Sequence, residues 1–179
     1  MSFRLGSEVL LSGFRPTWLI GVWRGGAPPG IALQEFLKVH GVTPDHISIR
    51  TSSYTAIGQQ SDTIRVHGLE YVVKNANAGD RLLIVDDIFD TGRTVKAVVD
   101  KLQRKMRANA PEDIRVATLF WKPHNNQTSI EPSFFVEETD RWICLPHELQ
   151  GMTIEEITRF QGPAVAALLT PEFVAQAAK

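Results

Sequence analysis

The chain has very little cysteine and no excess of charge of either sign. Cys144 is the only cysteine among 179 residues, which excludes an internal disulfide framework and indicates a reducing compartment. Nineteen Lys and Arg residues stand against 20 Asp and Glu residues, for a formal net charge of −1. Because no field of one sign surrounds the chain, we expect neither nucleic acid nor an anionic membrane as a partner. Any anion-binding site must be local.

Long hydrophobic runs are also missing. No apolar segment approaches the ~18–20 residues that a bilayer-spanning helix needs. The segment MSFRLGSEVLLSGFRP at the beginning of the chain has a short apolar patch. It has no long hydrophobic stretch with a small-residue cleavage site, so we expect no secretory signal. Together with the cysteine content, these absences predict a cytoplasmic protein.

What the sequence does contain is an alternation of strand-like and helix-like segments. A continuous apolar run, Trp18 to Trp23, predicts a strand covered on both faces, and it stops at Arg24-Gly25-Gly26. Pro28 and Pro29 can open the helical pattern that follows, and Gly41 can end it. Strand, glycine turn and helix are half of a βαβ unit.

The rest of the chain continues this alternation. Further strands are predicted at His46 to Thr51, Leu69 to Lys74, Leu82 to Val85, Ile114 to Trp121, Phe134 to Glu137 and Trp142 to Leu145. Helices are predicted from about Gly92, from the capping-box spacing at Thr153, and from Thr170-Pro171. The polar segment from residue 53 to residue 67 is predicted to be a mobile loop.

These elements predict one α/β domain over residues 1–179, because the length suits a single well-buried core. We expect the core at about residues 15–125. The terminal segments, at about residues 1–14 and 130–179, are expected to form a small accessory lobe.

The most informative segment is Leu82 to Thr94, LLIVDDIFDTGRT. A buried strand delivers Asp86 and Asp87 at its carboxyl end, which is where ligands bind in open α/β sheets. The turn from Asp90 to Thr94 offers two threonine hydroxyls, a glycine that allows close backbone approach, and the N-terminus of a helix. These groups predict a binding site for a phosphate monoester.

The two adjacent carboxylates would repel a phosphate unless they face another group. Sugar hydroxyls, a divalent cation or a cationic transition state would each remove the conflict, so the segment implies a sugar-phosphate substrate with bound Mg²⁺. Receiver domains of response regulators and haloacid-dehalogenase-like phosphatases also place aspartates after strands. The order here is D-D-x-x-D-T-G-x-T, unlike the D-x-D-x-T of those phosphatases, and no nucleotide P-loop pattern occurs.

The segment Val85 to Thr94 resembles the phosphoribosyl-pyrophosphate signature of type I phosphoribosyltransferases. The resemblance implies their fold, an open, mainly parallel sheet flanked by helices, with a small hood built from the terminal segments. It implies phosphoribosyl pyrophosphate as substrate and Mg²⁺ as cofactor, with Asp86 and Asp87 at the ribose and Asp86 among the metal ligands. The residues implied to hold the 5-phosphate are Asp90, Thr91, Gly92, Arg93 and Thr94.

Two residues resemble those of the members that act on 6-oxopurines. Asp90 resembles an aspartate proposed to accept the N7 proton of the base, a role that suits a carboxylate within hydrogen-bond reach. The alternative is that Asp90 caps the following helix, a role that is compatible with catalysis. Lys122 resembles the lysine that binds the purine 6-oxo group. The implied function is transfer of phosphoribose to hypoxanthine, guanine or xanthine in purine salvage, giving the nucleoside 5'-monophosphate and pyrophosphate.

Further segments resemble parts of the xanthine-guanine enzymes. Arg24-Gly25-Gly26 resembles the loop that binds the leaving pyrophosphate through Arg24, Gly25 and the backbone, with a cis peptide expected between Trp23 and Arg24. Ser53-Tyr54 resembles the start of a lid, here about residues 53–67, that closes over the transition state. Arg65 is a candidate for a pyrophosphate contact.

The segment Trp142 to Glu148, WICLPHE, resembles the W-I-x-x-P-x-[DE] stretch of the bacterial xanthine-guanine enzymes. The resemblance implies that Trp142 stacks on the base, that the backbone of Ile143 reads the edge of the base, and that Glu148 helps to hold a second Mg²⁺. Aspartate is usual where Glu148 stands. Arg159 is a candidate for a further pyrophosphate contact.

Two alternative functions stay open. One is a regulator of the same fold that senses a nucleotide and binds DNA or RNA. A DNA-binding repressor would need more chain before the core, and an attenuator that binds RNA would need a basic surface. The other is a phosphoribosyltransferase for adenine, uracil or another base, against which Asp90 and Lys122 argue. Because relatives commonly form dimers or tetramers, we expect a homodimer or homotetramer.

Overall fold

The computed structural model describes residues 1–54, 63–149 and 151–169. The strands are β1 (Trp18–Trp23), β2 (Asp45–Tyr54), β3 (Thr63–His67), β4 (Arg81–Phe89), β5 (Asp113–Trp121) and β6 (Phe134–Glu138). The α-helices are α1 (Ser2–Leu11), α2 (Ala27–Val39), α3 (Glu70–Asn75), α4 (Arg93–Met106), α5 (Ile154–Phe160) and α6 (Pro163–Ala167). Short 3₁₀ turns occupy Arg107–Asn109 and Pro123–Asn125.

The strands form one sheet in the order β3-β2-β1-β4-β5-β6. Every neighbouring pair is parallel except β2 and β3. The order reverses between β1 and β4, because β1 is followed along the chain by β2 on one side and β4 by β5 on the other. In open α/β sheets the crevice at such a reversal is the usual ligand site. The prediction of an open, mainly parallel sheet flanked by helices is confirmed.

The two faces of β4 are buried against different helices. Leu82 and Ile84 belong to a core cluster with residues of α3 and α4, while Leu83 and Val85 belong to a second cluster with residues of α1 and α2. Successive side chains of a strand point to opposite faces, and each buried Leu, Ile or Val contributes about 1.5–3 kcal/mol. The segment Leu82 to Thr94 therefore begins with a strand that is packed against helices on both faces.

The predicted strand at Leu69 to Lys74 is wrong, since residues 70–75 form α3. Leu69, Val72 and Ala76 are all buried, and their spacing fits one face of a helix. Tyr71, which an alternating strand would place beside Leu69, is 46% exposed, and its hydroxyl donates to the carboxylate of Asp45 at 2.8 Å.

Other boundaries also differ from the predictions. Residues 2–11, expected only as part of an accessory lobe, form α1, whose Leu5 and Val9 are fully buried. The predicted loop at residues 53–67 is partly strand, because β2 runs to residue 54 and β3 covers residues 63–67. The part of that loop at residues 55–62 lies outside the described residues. No strand forms at residues 142–145, so that prediction is wrong.

The chain divides into two compact units, Met1–Asp140 and Arg141–Lys179. In the second unit α5 begins with the predicted capping box, in which Thr153 accepts from the backbone N–H of Glu156 and the Glu156 carboxylate accepts from that of Thr153. The helix predicted at Thr170-Pro171 lies outside the described residues. The single domain and the hood made by both termini stay predictions. Over the described ranges, no helix has the length and apolar character that crossing a membrane requires.

Candidate active site

Asp86 and Asp87 are the sixth and seventh of the nine residues of β4, which ends at Phe89 and not at Val85 as predicted. Asp86 stands opposite Thr118 of β5, and both aspartates are half-buried. The backbone N–H of Asp87 donates to the Asp86 carboxylate at 3.0 Å, and that of Ile88 donates to the Asp87 carboxylate at 2.7 Å. Both acids are thus tied to the backbone of the strand.

The environment of Asp86 disfavours its charged form. Burial raises the pKa of Asp86 well above its usual range, and the charge of Asp87 with a hydrogen bond between the two side chains raises it further. The backbone N–H of Asp87 offsets part of this rise. A group with these surroundings is costly to ionise in the ligand-free protein, and a cation placed beside it would remove that cost.

This cost predicts that Asp86→Asn stabilises the ligand-free protein at pH 8. A carboxyl whose pKa is raised on folding favours the folded state below its unfolded value, near 3.9, and that contribution is lost as pH rises through the folded value. Asparagine does not ionise, so it escapes the loss. We therefore expect a higher melting midpoint for the variant, by roughly 2–4 °C for each kcal/mol of stability gained.

Thermal melts at pH 8 and pH 5 check this prediction, with a gain that shrinks at the lower pH. Asp100→Asn is the matched control, because the carboxylate of Asp100 pairs with Lys96 at 2.7 Å on the outside of α4. Its removal should not stabilise the protein. A wild-type protein as stable as the Asp86→Asn variant at pH 8 would contradict the electrostatic account.

The turn after β4 is shaped by Gly92. This residue has φ +72° and stands at the N-cap of α4, so the alternative assignment of Asp90 as the cap is wrong. A β-carbon on Gly92 would lie 2.6 Å from the hydroxyl of Thr128 and 2.7 Å from the side-chain oxygen of Asn126. Only glycine fits this conformation in this space. The turn therefore ends at the N-terminus of a 14-residue helix, where backbone N–H groups and the positive end of the helix dipole suit an anion.

The turn after β1 lies directly against the acid pair. A β-carbon on Gly25 would come within 1.8 Å of the Asp87 carboxylate, and one on Gly26 within 2.2 Å of the Val85 carbonyl oxygen. The peptide bond between Trp23 and Arg24 is cis, as the resemblance implied, and Arg24 is exposed. Two segments 62 positions apart in the sequence, at Gly25 and Asp87, thus meet at one edge of the sheet.

The end of β5 is the third segment of the candidate site, after the turns that follow β4 and β1. Lys122 is buried, and its Nζ lies 4.0 Å from Oδ2 of Asp90. Thr118, fully buried, donates its hydroxyl to the backbone carbonyl of Asp87 at 3.0 Å, with the carbonyl of Phe120 equally close. The structure therefore brings the turn after β1 against Asp87 and the residue after β5, Lys122, close to Asp90.

Two of the remaining predicted residues, Ser53 and Arg65, do not join this set in the described structure, and four others belong to the second compact unit. Ser53 is exposed and pairs with Ile64 in the β2–β3 ladder, and the side chain of Tyr54 lies outside the described residues. Arg65 is exposed on β3. Trp142, Ile143, Glu148 and Arg159 belong to the unit Arg141–Lys179. Within that unit the indole of Trp142 is 89% exposed, and the Glu148 carboxylate accepts from the backbone N–H of Leu145 at 3.0 Å.

Sequence reasoning missed two residues that support the site. Thr118 is the one hydroxyl residue in the strand IRVATLFW, a polar group inside an apolar run, and that exception was its signal. Asn125 donates its side-chain N–H to Oδ1 of Asp90 at 2.7 Å. Its position three residues after Lys122 was the only available signal. That signal is weak because asparagine is common in turns, where its side chain bonds to nearby backbone.

Comparison with known proteins agrees with this geometry. The family profile described as the phosphoribosyl transferase domain matches residues 4–150. The chain belongs to the phosphoribosyltransferase family. The match includes the β1 turn, the acid pair with its turn, and the end of β5.

Individual relatives of the chain are moderately distant in sequence. The hypoxanthine-guanine phosphoribosyltransferase of Streptococcus pyogenes is 34% identical over 116 residues, which are 65% of this chain and 59% of the relative. The chain therefore matches less than two thirds of that relative's length. A purine phosphoribosyltransferase from Pyrococcus horikoshii superimposes with a TM-score of 0.65 at 26% identity, over 85% of this chain and 90% of that one. A protein from Neisseria gonorrhoeae, solved with bound ppGpp, shares the fold at TM-score 0.70 and 22% identity, over 92% and 90% of the two chains.

The acid pair of the chain fits a Mg²⁺ site that uses few protein ligands. No group of three or more His, Cys, Asp or Glu side chains suited to a metal occurs in the described ranges. Mg²⁺ commonly uses only one or two carboxylates and completes its shell with water and substrate phosphates. Asp86 and Asp87 can supply such carboxylates, and a bound cation would favour the charged form of Asp86, whose pKa is raised by burial and by the charge of Asp87.

Proposed function

We propose that this phosphoribosyltransferase transfers the 5-phosphoribosyl group of phosphoribosyl pyrophosphate to a 6-oxopurine, releasing pyrophosphate. The observation that carries the proposal is the contact between Gly25 and the carboxylate of Asp87 beside the Asp90–Thr94 turn. That contact gives one crevice an anion site at each end and two carboxylates between them. The substrate has the same order of groups: 5-phosphate, ribose hydroxyls and pyrophosphate.

Each segment around the crevice binds a different group of the substrate in the proposal. Backbone N–H groups and hydroxyls of the Asp90–Thr94 turn bind the 5-phosphate, each hydrogen bond contributing on the order of 1.5–3 kcal/mol. Asp86 and Asp87 bind the ribose hydroxyls and stabilise positive charge on the ring as the bond from the anomeric carbon to pyrophosphate breaks. Arg24 and the backbone of Gly25 hold the departing pyrophosphate. Mg²⁺, when bound through Asp86 or Asp87, supplies charge neutralisation of the pyrophosphate.

Binding of the purine base is assigned to Lys122 and Asp90. The buried ammonium of Lys122 donates to the 6-oxo oxygen, a contact that an amino purine such as adenine cannot accept. Asp90 takes the proton from N7 of the base while the purine nitrogen bonds to the anomeric carbon. Because Lys122 and Asp90 lie 4.0 Å apart, one base can reach both through neighbouring atoms. Stacking by Trp142, backbone recognition by Ile143 and metal binding by Glu148 complete the proposal.

A base panel tests the proposed function. We expect nucleoside monophosphate to form from phosphoribosyl pyrophosphate with at least one of hypoxanthine, guanine and xanthine, and none with adenine. Removing Mg²⁺ with a chelator should abolish the reaction, and restoring it should recover the rate. A spectrophotometric assay, with products resolved by chromatography, measures each rate.

The same panel separates the alternatives. Transfer to adenine or uracil alone would mean that Lys122 has another role and would overturn the oxopurine assignment. Saturable binding of phosphoribosyl pyrophosphate without transfer to any base would favour a nucleotide-sensing regulator.

Sedimentation of the purified protein tests the expected homodimer or homotetramer, which a monomer at assay concentration would contradict.

A further inference from the structure

The carboxylate of Asp90 is contacted on both oxygens by the segment that follows β5. The side-chain N–H of Asn125 donates to Oδ1 at 2.7 Å, and the ammonium of Lys122 lies 4.0 Å from Oδ2. An ionised carboxylate accepts hydrogen bonds only, so the Asn125 amide must turn its NH₂ group, and not its oxygen, toward Asp90. The Asp90 side chain is 47% exposed, and nothing in its burial alone would fix its orientation.

The backbone around Asn125 is itself fixed to β4. The N–H of Lys122 donates to the carbonyl of Phe89 at 2.9 Å, and the 3₁₀ turn Pro123–Asn125 closes with a 3.1 Å bond from Asn125 to Lys122. Two residues later the N–H of Gln127 donates to the carbonyl of Thr91 at 3.0 Å. The amide of Asn125 is therefore held in register with Asp90 by bonds on either side of it.

We infer that Asn125 is a positioning residue for Asp90, through which it acts on the purine. The inference rests on the proposed function. With Oδ1 occupied by the amide, Oδ2 is the oxygen left to take the N7 proton, and it faces the side where Lys122 would hold the 6-oxo group. Without the amide, the carboxylate turns among several rotamers and is less often in the reactive orientation.

If Asn125 positions Asp90, replacing Asn125 should lower kcat without a matching change in substrate binding. We expect Asn125→Ala to lower kcat on the order of tenfold or more, the usual worth of a hydrogen bond to a charged group, and to leave KM for phosphoribosyl pyrophosphate within about twofold. Asn125→Asp, of nearly the same shape, should lower kcat further because a second carboxylate then faces Asp90. Asn75→Ala is the matched control, since its side chain makes a bond of equal length, 2.7 Å, to the Tyr71 carbonyl far from the crevice.

A double variant separates positioning from support of the fold. On an Asp90→Asn background the proposed base is already absent, so adding Asn125→Ala should change the remaining kcat by less than about twofold. A structural contribution would lower kcat by the same factor on both backgrounds. Circular dichroism melts of each variant set the assay temperature below unfolding, and Asn125→Ser provides a second truncation if Asn125→Ala melts too low.

Three results would overturn the inference. The first is a normal kcat for both truncations in an active enzyme, which would leave the proposed function intact. The second is an equal loss on both backgrounds, which would make Asn125 a structural residue only. The third is absence of transfer to any base by the wild-type protein, in which case the proposed function fails as well.

Discussion

Asp90→Asn is expected to lower kcat by ~10²-fold or more, the usual worth of a positioned general base. Asparagine keeps the shape of the side chain and can still accept the N–H of Asn125 through its oxygen, so the turn should keep its conformation. It cannot accept the N7 proton at the position that faces Lys122. Steady-state rates with the preferred oxopurine measure the loss.

The binding of phosphoribosyl pyrophosphate should be unimpaired in this variant, because in the proposed mechanism the turn binds phosphate mainly through backbone N–H groups and hydroxyls. Isothermal titration checks that expectation. Asp100→Asn, which removes an exposed carboxylate paired with Lys96, should leave both quantities unchanged. Turnover near the wild-type value for Asp90→Asn would remove Asp90 from the mechanism.

Gly25→Ala should weaken binding of phosphoribosyl pyrophosphate by ~10²-fold, a loss equal to about two hydrogen bonds to charged groups. The new methyl group would lie 1.8 Å from the Asp87 carboxylate, so either that carboxylate or the β1 turn must move. Either movement would separate the proposed pyrophosphate loop from the proposed ribose site. Titration of the substrate in the presence of Mg²⁺ gives the dissociation constant directly.

The fold should tolerate this change, since the β1 turn is at the surface and Gly25 is half-buried. We expect a melting midpoint within a few degrees of the wild type. Gly79→Ala is the matched control, because a β-carbon there meets only the Asn77 side chain at 3.4 Å. Unchanged binding in Gly25→Ala would show that the contact with Asp87 is not part of the substrate site.

Much of the candidate site could be proposed from the sequence because most of its residues lie in one stretch. Two aspartates, a threonine-glycine turn and the beginning of α4 follow one another within Leu82 to Thr94. The apolar runs that became β1 and β4 were bounded by glycine or acidic residues, so their strands were also predictable. Both signals are local, and neither depends on which segments meet in the fold.

Other features depend on contacts between distant segments. Asn125 and Asp90 are 35 residues apart, and only the parallel pairing of β4 with β5 brings them together. The segment at residues 69–74 satisfied both a strand and a helix pattern, and burial of Val72 with Leu69 decided for the helix. Helix α1 has only 10 residues, a length that is marginal without the packing of its Leu5 and Val9.

A crystal structure with phosphoribosyl pyrophosphate and Mg²⁺ tests the central claim most directly. We predict the 5-phosphate within ~3 Å of the backbone N–H groups at Thr91 to Thr94 and the ribose hydroxyls at a similar distance from the carboxylates of Asp86 and Asp87. The pyrophosphate should lie beside Gly25. Substrate bound elsewhere, with the turn after β4 empty and both carboxylates away from the sugar, would contradict the claim that this crevice binds an activated ribose phosphate.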